Sequence, residues 1–264
     1  MQRKETLLQR LSDIGESLRQ SQNALALLGF GSIGKEIERL DDYSDLDFIA
    51  VVKNGYKQKY INNLEWLEKA KPLTFVFMNT KDGFKVMYED EIFCEFAVVE
   101  TGDLEKIPHS EGRVIWKENG FDEKWCSTND AGVTRWKPES VEWLIGEIIT
   151  FIYVGLCRYY RGEKLSGYKF IQGQAFDMLI ELLYLTKDKN RNVFEDMFSK
   201  ERRFEKMYDG IDKTLERFLQ GYSNTVASAR EMIIYLDDNY NINSFMRDLI
   251  LRICNNGFIY KSTN

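Results

Sequence analysis

Apolar and polar positions recur along this chain with two periods, and the change from one to the other divides it. In residues 5–22, Leu7, Leu8, Leu11, Ile14 and Leu18 fall at three- and four-residue intervals among charged residues, which predicts an amphipathic helix. Ala24 to Phe30 is a short apolar run closed by Gly29-Phe30-Gly31, the pattern of a buried strand. A charged loop follows from Ile33 to Tyr43. Asp45-Leu46-Asp47-Phe48-Ile49-Ala50-Val51-Val52 then opens with alternation and ends fully apolar, as a strand does with one end at a site and the other in a core.

After Asn54-Gly55, the spacing of Tyr60, Ile61, Leu64 and Leu67 predicts a helix over 57–70, and Leu73 to Met78 reads as a strand. Asp82-Gly83 makes a turn, with strands expected at 84–88 and 91–99 on either side of Glu89-Asp90. From about 101 to 137 the chain is polar and punctuated by Gly102, Pro108, Gly112, Gly120 and Pro138, so loops and short elements are expected there, together with a domain boundary. Beyond it the period is helical throughout, over 139–160, 168–187, 190–208, 210–220, 223–237 and 241–255, with breaks at Gly162, Gly167 and Asp188-Lys189-Asn190. Strands followed by helices predict an α+β fold: a sheet-and-helix domain over 1–137 and an α-helical bundle over 138–264.

Length and composition narrow the chemistry. The 264 residues suffice for two domains with their own cores, and 44% hydrophobic with 30% charged residues is a globular balance. No apolar run approaches the ~20 residues of a membrane span. The N-terminal Met1-Gln2-Arg3-Lys4-Glu5 leads into a charged amphipathic pattern, unlike a secretion signal, so a cytoplasmic location is expected. Cys94, Cys126, Cys157 and Cys254 are scattered without a Cys-x-x-Cys pair and read as core thiols of a reducing compartment.

A single histidine, His109, rules out a His-rich zinc site built from one chain. It follows Pro108, and a solvent-facing loop position is the expectation for it. Any metal must therefore be held by oxygen, which favours a hard cation such as Mg²⁺. The net charge of −6 disfavours a long polynucleotide as partner.

Asp45 and Asp47, at i and i+2 on one strand, face the same way with Cα atoms roughly 7 Å apart. Two ionised carboxylates at that distance repel by about 2 kcal/mol at an effective dielectric near 20, so holding them together in a half-buried site calls for a cation. Separated from Asp45 by twelve residues, Gly31-Ser32 lies where a strand runs out into a loop. There a missing side chain lets backbone approach a phosphate, and the Ser32 hydroxyl and nearby amides can donate to its oxygens. A phosphate cradle beside a carboxylate pair suits phosphoryl or nucleotidyl transfer.

Leu28-Gly29-Phe30-Gly31-Ser32 followed by Asp42-Tyr43-Ser44-Asp45-Leu46-Asp47-Phe48 resembles the signature of the polymerase-beta nucleotidyltransferase superfamily. Within it the chain is most similar to the lincosamide and aminoglycoside nucleotidyltransferases, over about residues 24–100. The resemblance implies a mixed sheet packed by helices, a helical domain that binds the acceptor, and two Mg²⁺ ions. It also implies ATP or another nucleoside triphosphate as co-substrate and a small hydroxylated acceptor, an antibiotic being the first candidate, with pyrophosphate released.

Residue by residue, Asp45 and Asp47 match the paired carboxylates and Gly31 with Ser32 the phosphate-binding pair. Glu95, inside the apolar run Ile92-Phe93-Cys94-Glu95-Phe96, is the preferred third carboxylate, as metal ligand or general base, with Glu89, Glu91 and Glu100 as competitors. Arg161-Gly162-Glu163 echoes a step of the family, but a Gly-terminated helix with cations in its last turn accounts for it without any function and is the preferred reading. Lys35 and Arg39 could reach triphosphate oxygens. The 33–44 loop is near the long end of the family pattern and unusually acidic for a loop beside triphosphate. Transfer to a protein or RNA acceptor, or a non-catalytic nucleotide-binding module, are the alternatives, and a homodimer is left open.

Overall fold

A computed structural model describes residues 3–107, 109–129, 140–190, 193 and 200–258. Contacts divide the chain into two compact units, Met1–Lys137 and Pro138–Ile259.

The first unit opens with α1 (Arg3–Gln20), whose Leu7, Leu11, Ile14 and Leu18 are buried while Leu8 stays exposed. Six strands follow: β1 (Ala24–Phe30), β2 (Leu46–Val52), β3 (Leu73–Thr80), β4 (Gly83–Tyr88), β5 (Phe93–Glu100) and β6 (Arg113–Lys117). They form one sheet in the order β3-β4-β5-β2-β1-β6, in which β2 and β5 are parallel and the other neighbours antiparallel. The fold is thus α+β, with a mixed sheet in the first unit.

Each face of the sheet has its own core. One face collects the α1 leucines with Leu27, Phe48, Ala50, Val86, Phe96 and Val98, together with Tyr60 and Trp66 from two short helices, α2 (Lys57–Asn62) and α3 (Glu65–Glu68). The other collects Ala26, Leu28, Phe30, Ile49, Val51, Val99 and Leu104, packed by Phe121 and Trp125. Burial of each large side chain contributes about 1.5–3 kcal/mol. The helix expected over 57–70 is split at Asn63, whose Oδ1 accepts from Glu65 N at 2.8 Å and starts a new turn. The 101–137 stretch holds more structure than its polarity suggests. Its strand β6 pairs with β1, and two 3₁₀ turns, Thr101–Lys106 and Glu123–Cys126, flank that strand.

The second unit is helical throughout its described residues. It comprises α4 (Val141–Arg161), α5 (Lys164–Tyr168), α6 (Phe176–Thr186), α7 (Phe204–Met207), α8 (Ile211–Phe218), α9 (Thr225–Asn239) and α10 (Ser244–Asn256). The Ser140 and Asn243 side chains accept from Trp143 N and Met246 N and cap α4 and α10. Most of the helix expected over 190–208 lies outside the described residues; α7 is the helical part seen. The single helix expected over 168–187 is instead interrupted by a π-helical segment, Lys169–Ala175. Gln172 from that segment is buried and exchanges two hydrogen bonds of 2.9 Å with the backbone of Gly221, which compensates for the irregular turn. Gly167 does not break the chain: it lies inside α5, where a Cβ would meet Gly155 O at 2.7 Å, so it permits close packing of α5 on α4.

Among the described residues no helix is long and apolar enough to cross a membrane. All four cysteines are free thiols.

Candidate functional site

Asp47 is the second residue of β2, and Asp45 stands just before its first, so the strand begins one residue later than the sequence predicts. Both are half-buried. In the parallel pairing Asp47 lies opposite Glu95 of β5, and in the antiparallel pairing with β1 it lies opposite Phe30. Glu95 in turn pairs with Lys85 of β4. One lateral row, Lys85-Glu95-Asp47-Phe30, therefore crosses four strands, with neighbours about 4.8 Å apart.

The alternate residues fix that row from below. Phe48 and Phe96 stack at 5.0 Å, Phe96 and Phe84 at 5.5 Å, and Trp66 meets Phe96 edge-on at 5.4 Å. These rings occupy the opposite face, so slipping β2 or β5 by one residue would bury the carboxylates and expose the aromatics.

The Gly-Ser element closes β1 at the same end. Gly31 has φ +54°, the left-handed region, and starts a 3₁₀ turn over Gly31–Ile33 in which Ser32 is buried. A Cβ on Gly31 would lie 3.4 Å from Asp47 Oδ2, so the missing side chain leaves space beside that carboxylate. Two groups that sequence reasoning missed hold the surrounding backbone. Arg113 of β6 donates from Nε and Nη2 to Ile33 O at 3.3 and 3.0 Å. Asp41 and Ser44 brace one another ahead of Asp45: Asp41 Oδ1 accepts from Tyr43 N at 2.9 Å and Ser44 Oγ at 3.0 Å, while Ser44 Oγ accepts from Asp41 N at 3.1 Å. The signal for this brace was the Asp-x-x-Ser spacing inside a charged loop.

Asn79 donates to Glu95 Oε1 at 3.0 Å, and Glu95 is exposed. Of its competitors, Glu89 pairs with Lys71 at 2.9 Å and Glu91 has φ +66°, both in the turn before β5. Glu100 lies at the far end of β5, where its Oε1 accepts from Gly55 N at 2.8 Å. The loop cations form surface pairs, Lys35 with Glu111 at 3.0 Å and Arg39 with Glu36 at 2.5 Å. His109 is half-buried instead of solvent-facing: its ring packs on Phe30 at 5.3 Å, and its backbone bridges to Asn129. Gly162 caps α4 in the left-handed conformation, its N–H reaching Arg158 O and Tyr159 O, and Arg161 meets Glu163 at 3.9 Å. That is the geometry of an ordinary helix end.

The field of the carboxylates is felt behind the sheet. Cys94, fully buried beside the row, has its thiol pushed well up by burial, with Asp45 and Asp47 adding to the effect against Arg10.

The acidic side chains of this region, Asp45, Asp47 and Glu95, offer only oxygen donors, which suits a hard cation. Among the described residues no three His, Cys, Asp or Glu side chains stand together closely enough to hold a metal ion by themselves. Mg²⁺ does not require that, since it takes one or two carboxylates and fills its remaining positions with substrate phosphate oxygens and water.

No family model matches this chain, and a search of curated proteins finds no match either. Among solved structures, a crystal structure of an aminoglycoside 6-adenyltransferase from Bacillus subtilis is similar at 11% sequence identity, over 96% of this chain and 92% of that one, with a TM-score of 0.31. A score of that size does not establish a shared fold.

Proposed function

We propose that the chain is a Mg²⁺-dependent nucleotidyltransferase that moves a nucleoside monophosphate, adenylate first among the candidates, from a nucleoside triphosphate to a hydroxyl of a small molecule and releases pyrophosphate. A lincosamide or aminoglycoside is the acceptor class to test first, and a reducing, cytoplasmic setting goes with the four free thiols. The observation that carries the reading is the register: Asp47 lies opposite Glu95 and beside the left-handed Gly31, with Asp45 two residues before it at the mouth of β2.

In this reading the Gly31-Ser32 turn binds triphosphate, Ser32 and the turn amides donating to its oxygens. Asp45 and Asp47 hold Mg²⁺, which when bound supplies charge neutralisation for the triphosphate and the attacking hydroxyl. Glu95 serves as third ligand or takes the acceptor proton. The aromatic layer under the row keeps these carboxylates in place between turnovers, and Phe30 with His109 forms a wall on the β1 side. Recognition of the acceptor falls to residues 138–264.

The test is Mg²⁺-dependent pyrophosphate release with a panel of nucleoside triphosphates and antibiotics, alongside a resistance screen in a sensitive host. Turnover that needs both Mg²⁺ and one acceptor class supports the reading. Absence of turnover with every acceptor, together with tight capture of a protein partner, would replace it with a binding module.

A further inference from the structure

Lys85 belongs to the row across the sheet but has no part in the proposed reaction. It sits on β4 directly opposite Glu95, and Glu95 lies directly opposite Asp47. Cross-strand partners project to the same face, and the stacked rings of Phe84, Phe96 and Phe48 on the other face show the alternation. Lys85 is 7% exposed, whereas every other residue of β4 is a buried glycine, aliphatic or aromatic. A buried ammonium in an apolar strand is costly unless an anion faces it, and the anions of this region are those of the carboxylate row.

We propose that Lys85 is a positioning residue, an internal counter-ion that holds the Glu95 end of the carboxylate row while no metal is bound there. This rests on the assignment of a divalent cation to Asp45 and Asp47, with the Glu95 carboxylate beside them in the row. Ionised, those three carboxylates carry charge −3; Lys85 reduces it to −2, the charge that one Mg²⁺ balances. The ammonium thus does two opposed things. It offsets the mutual repulsion of the carboxylates in the metal-free protein, and it weakens the attraction of the site for a cation that arrives without nucleotide. Asn79 also holds this carboxylate, donating to Glu95 Oε1 at 3.0 Å.

The experiment uses the full chain and Mg²⁺ alone, read by titration calorimetry, with thermal unfolding in EDTA and in saturating Mg²⁺. Lys85→Met is expected to bind Mg²⁺ about tenfold more tightly than wild type, because a like charge about two strand spacings from Asp47 has been removed. Its melting temperature should fall in EDTA and recover when Mg²⁺ is added, a gain larger than wild type shows. Lys85→Arg keeps the charge and should bind Mg²⁺ within about twofold of wild type.

Unchanged or weaker Mg²⁺ affinity in Lys85→Met, with the same loss of melting temperature in EDTA and in Mg²⁺, would make Lys85 a plain structural residue and overturn the proposal. If Lys85→Met does not fold, the double change with Glu95→Gln decides the matter. A folded double variant supports charge compensation, and one that also fails to fold overturns it. Failure of the underlying reading looks different: wild type itself, and Asp47→Asn alike, would show no Mg²⁺ binding, and the proposal would fall with it.

Discussion

Replacing Gly31 with alanine separates the phosphate role of the Gly-Ser turn from its backbone role. The residue sits at φ +54°, so the substitution forces a left-handed alanine, at a cost of about 1–2 kcal/mol. That corresponds to a fall of roughly 3–8 °C in melting temperature. The new methyl also stands 3.4 Å from Asp47 Oδ2, in the space assigned to a phosphate oxygen. Displacing one charge-assisted phosphate contact there costs about 2 kcal/mol, or roughly thirtyfold in kcat/KM for the triphosphate. Gly55→Ala is the matched control. Gly55 has φ +83° and nothing within 4 Å of its missing Cβ, and it follows β2 at the end away from Asp47. Both variants should lose similar stability in a thermal unfolding assay, and only Gly31→Ala should lose triphosphate affinity in a steady-state assay varying the nucleotide. Equal kinetics for the two variants would refute the phosphate assignment.

Other outcomes follow from the same geometry. Asp47→Asn should reduce turnover by about a thousandfold or more, while unfolding in EDTA stays at the wild-type temperature or moves up, because the repulsion with Asp45 is relieved; near wild-type turnover would remove the metal assignment. Lys57 bridges Asp82 at 3.2 Å and Asp103 at 2.8 Å. The hydrogen bond from Lys57 holds the Asp103 carboxyl below its ordinary value, and burial, which would lower the Lys57 ammonium, is outweighed by Asp103 and Asp82, which raise it. The Asp103 contribution is therefore complete above pH ~4 and lost as pH falls through the folded value; that of Lys57 is complete below pH ~10 and lost as pH rises through its own. Lys57→Met should cost about 1 kcal/mol between those limits, a difference that shrinks toward pH 2 in denaturant titrations. Gly167→Ala, whose Cβ would press on Gly155 O at 2.7 Å, should destabilise by about 2–3 kcal/mol, whereas Gly173→Ala, with nothing within 4 Å, should be neutral by the same measurement.

Local chemistry made much of this fold legible in the sequence. The runs 24–30 and 45–52 announced β1 and β2 within a residue, because a buried strand next to a glycine has few other readings. The edge strand β6 was not legible: Arg113-Val114-Ile115-Trp116-Lys117 is only half-buried, and what makes it a strand is the open side of β1. The π segment in 168–187 escaped for a related reason. Ile171, Ala175 and Leu179 keep a helical apolar spacing, and the irregular turn is decided by the Gln172 bonds to Gly221, forty-nine residues away.

The site divides in the same way. Asp45, Asp47, Gly31 and Ser32 could be named from one stretch of chain, since their relation is set by i,i+2 geometry and a strand end. Glu95 could be named only through a family resemblance, because its standing depends on which strand lies beside β2. Sequence neighbours would have put β1 and β3 there; the crossover puts β5 there, parallel, in the register that sets Glu95 against Asp47. A shift of one residue would have presented Cys94 or Phe96 instead. That register is specified on the other face, by Phe48 stacking on Phe96 and Phe84 beyond it, so the aromatic layer determines the chemistry it never touches. Phe96→Leu tests this directly: it should cost about 1–2 kcal/mol in stability by loss of both stacks, and it should lower kcat more than it raises KM for triphosphate, since Glu95 would be displaced while Gly31 and Ser32 stay where β1 holds them. A variant that lost stability with no change in kcat would show that the carboxylate row holds its own register.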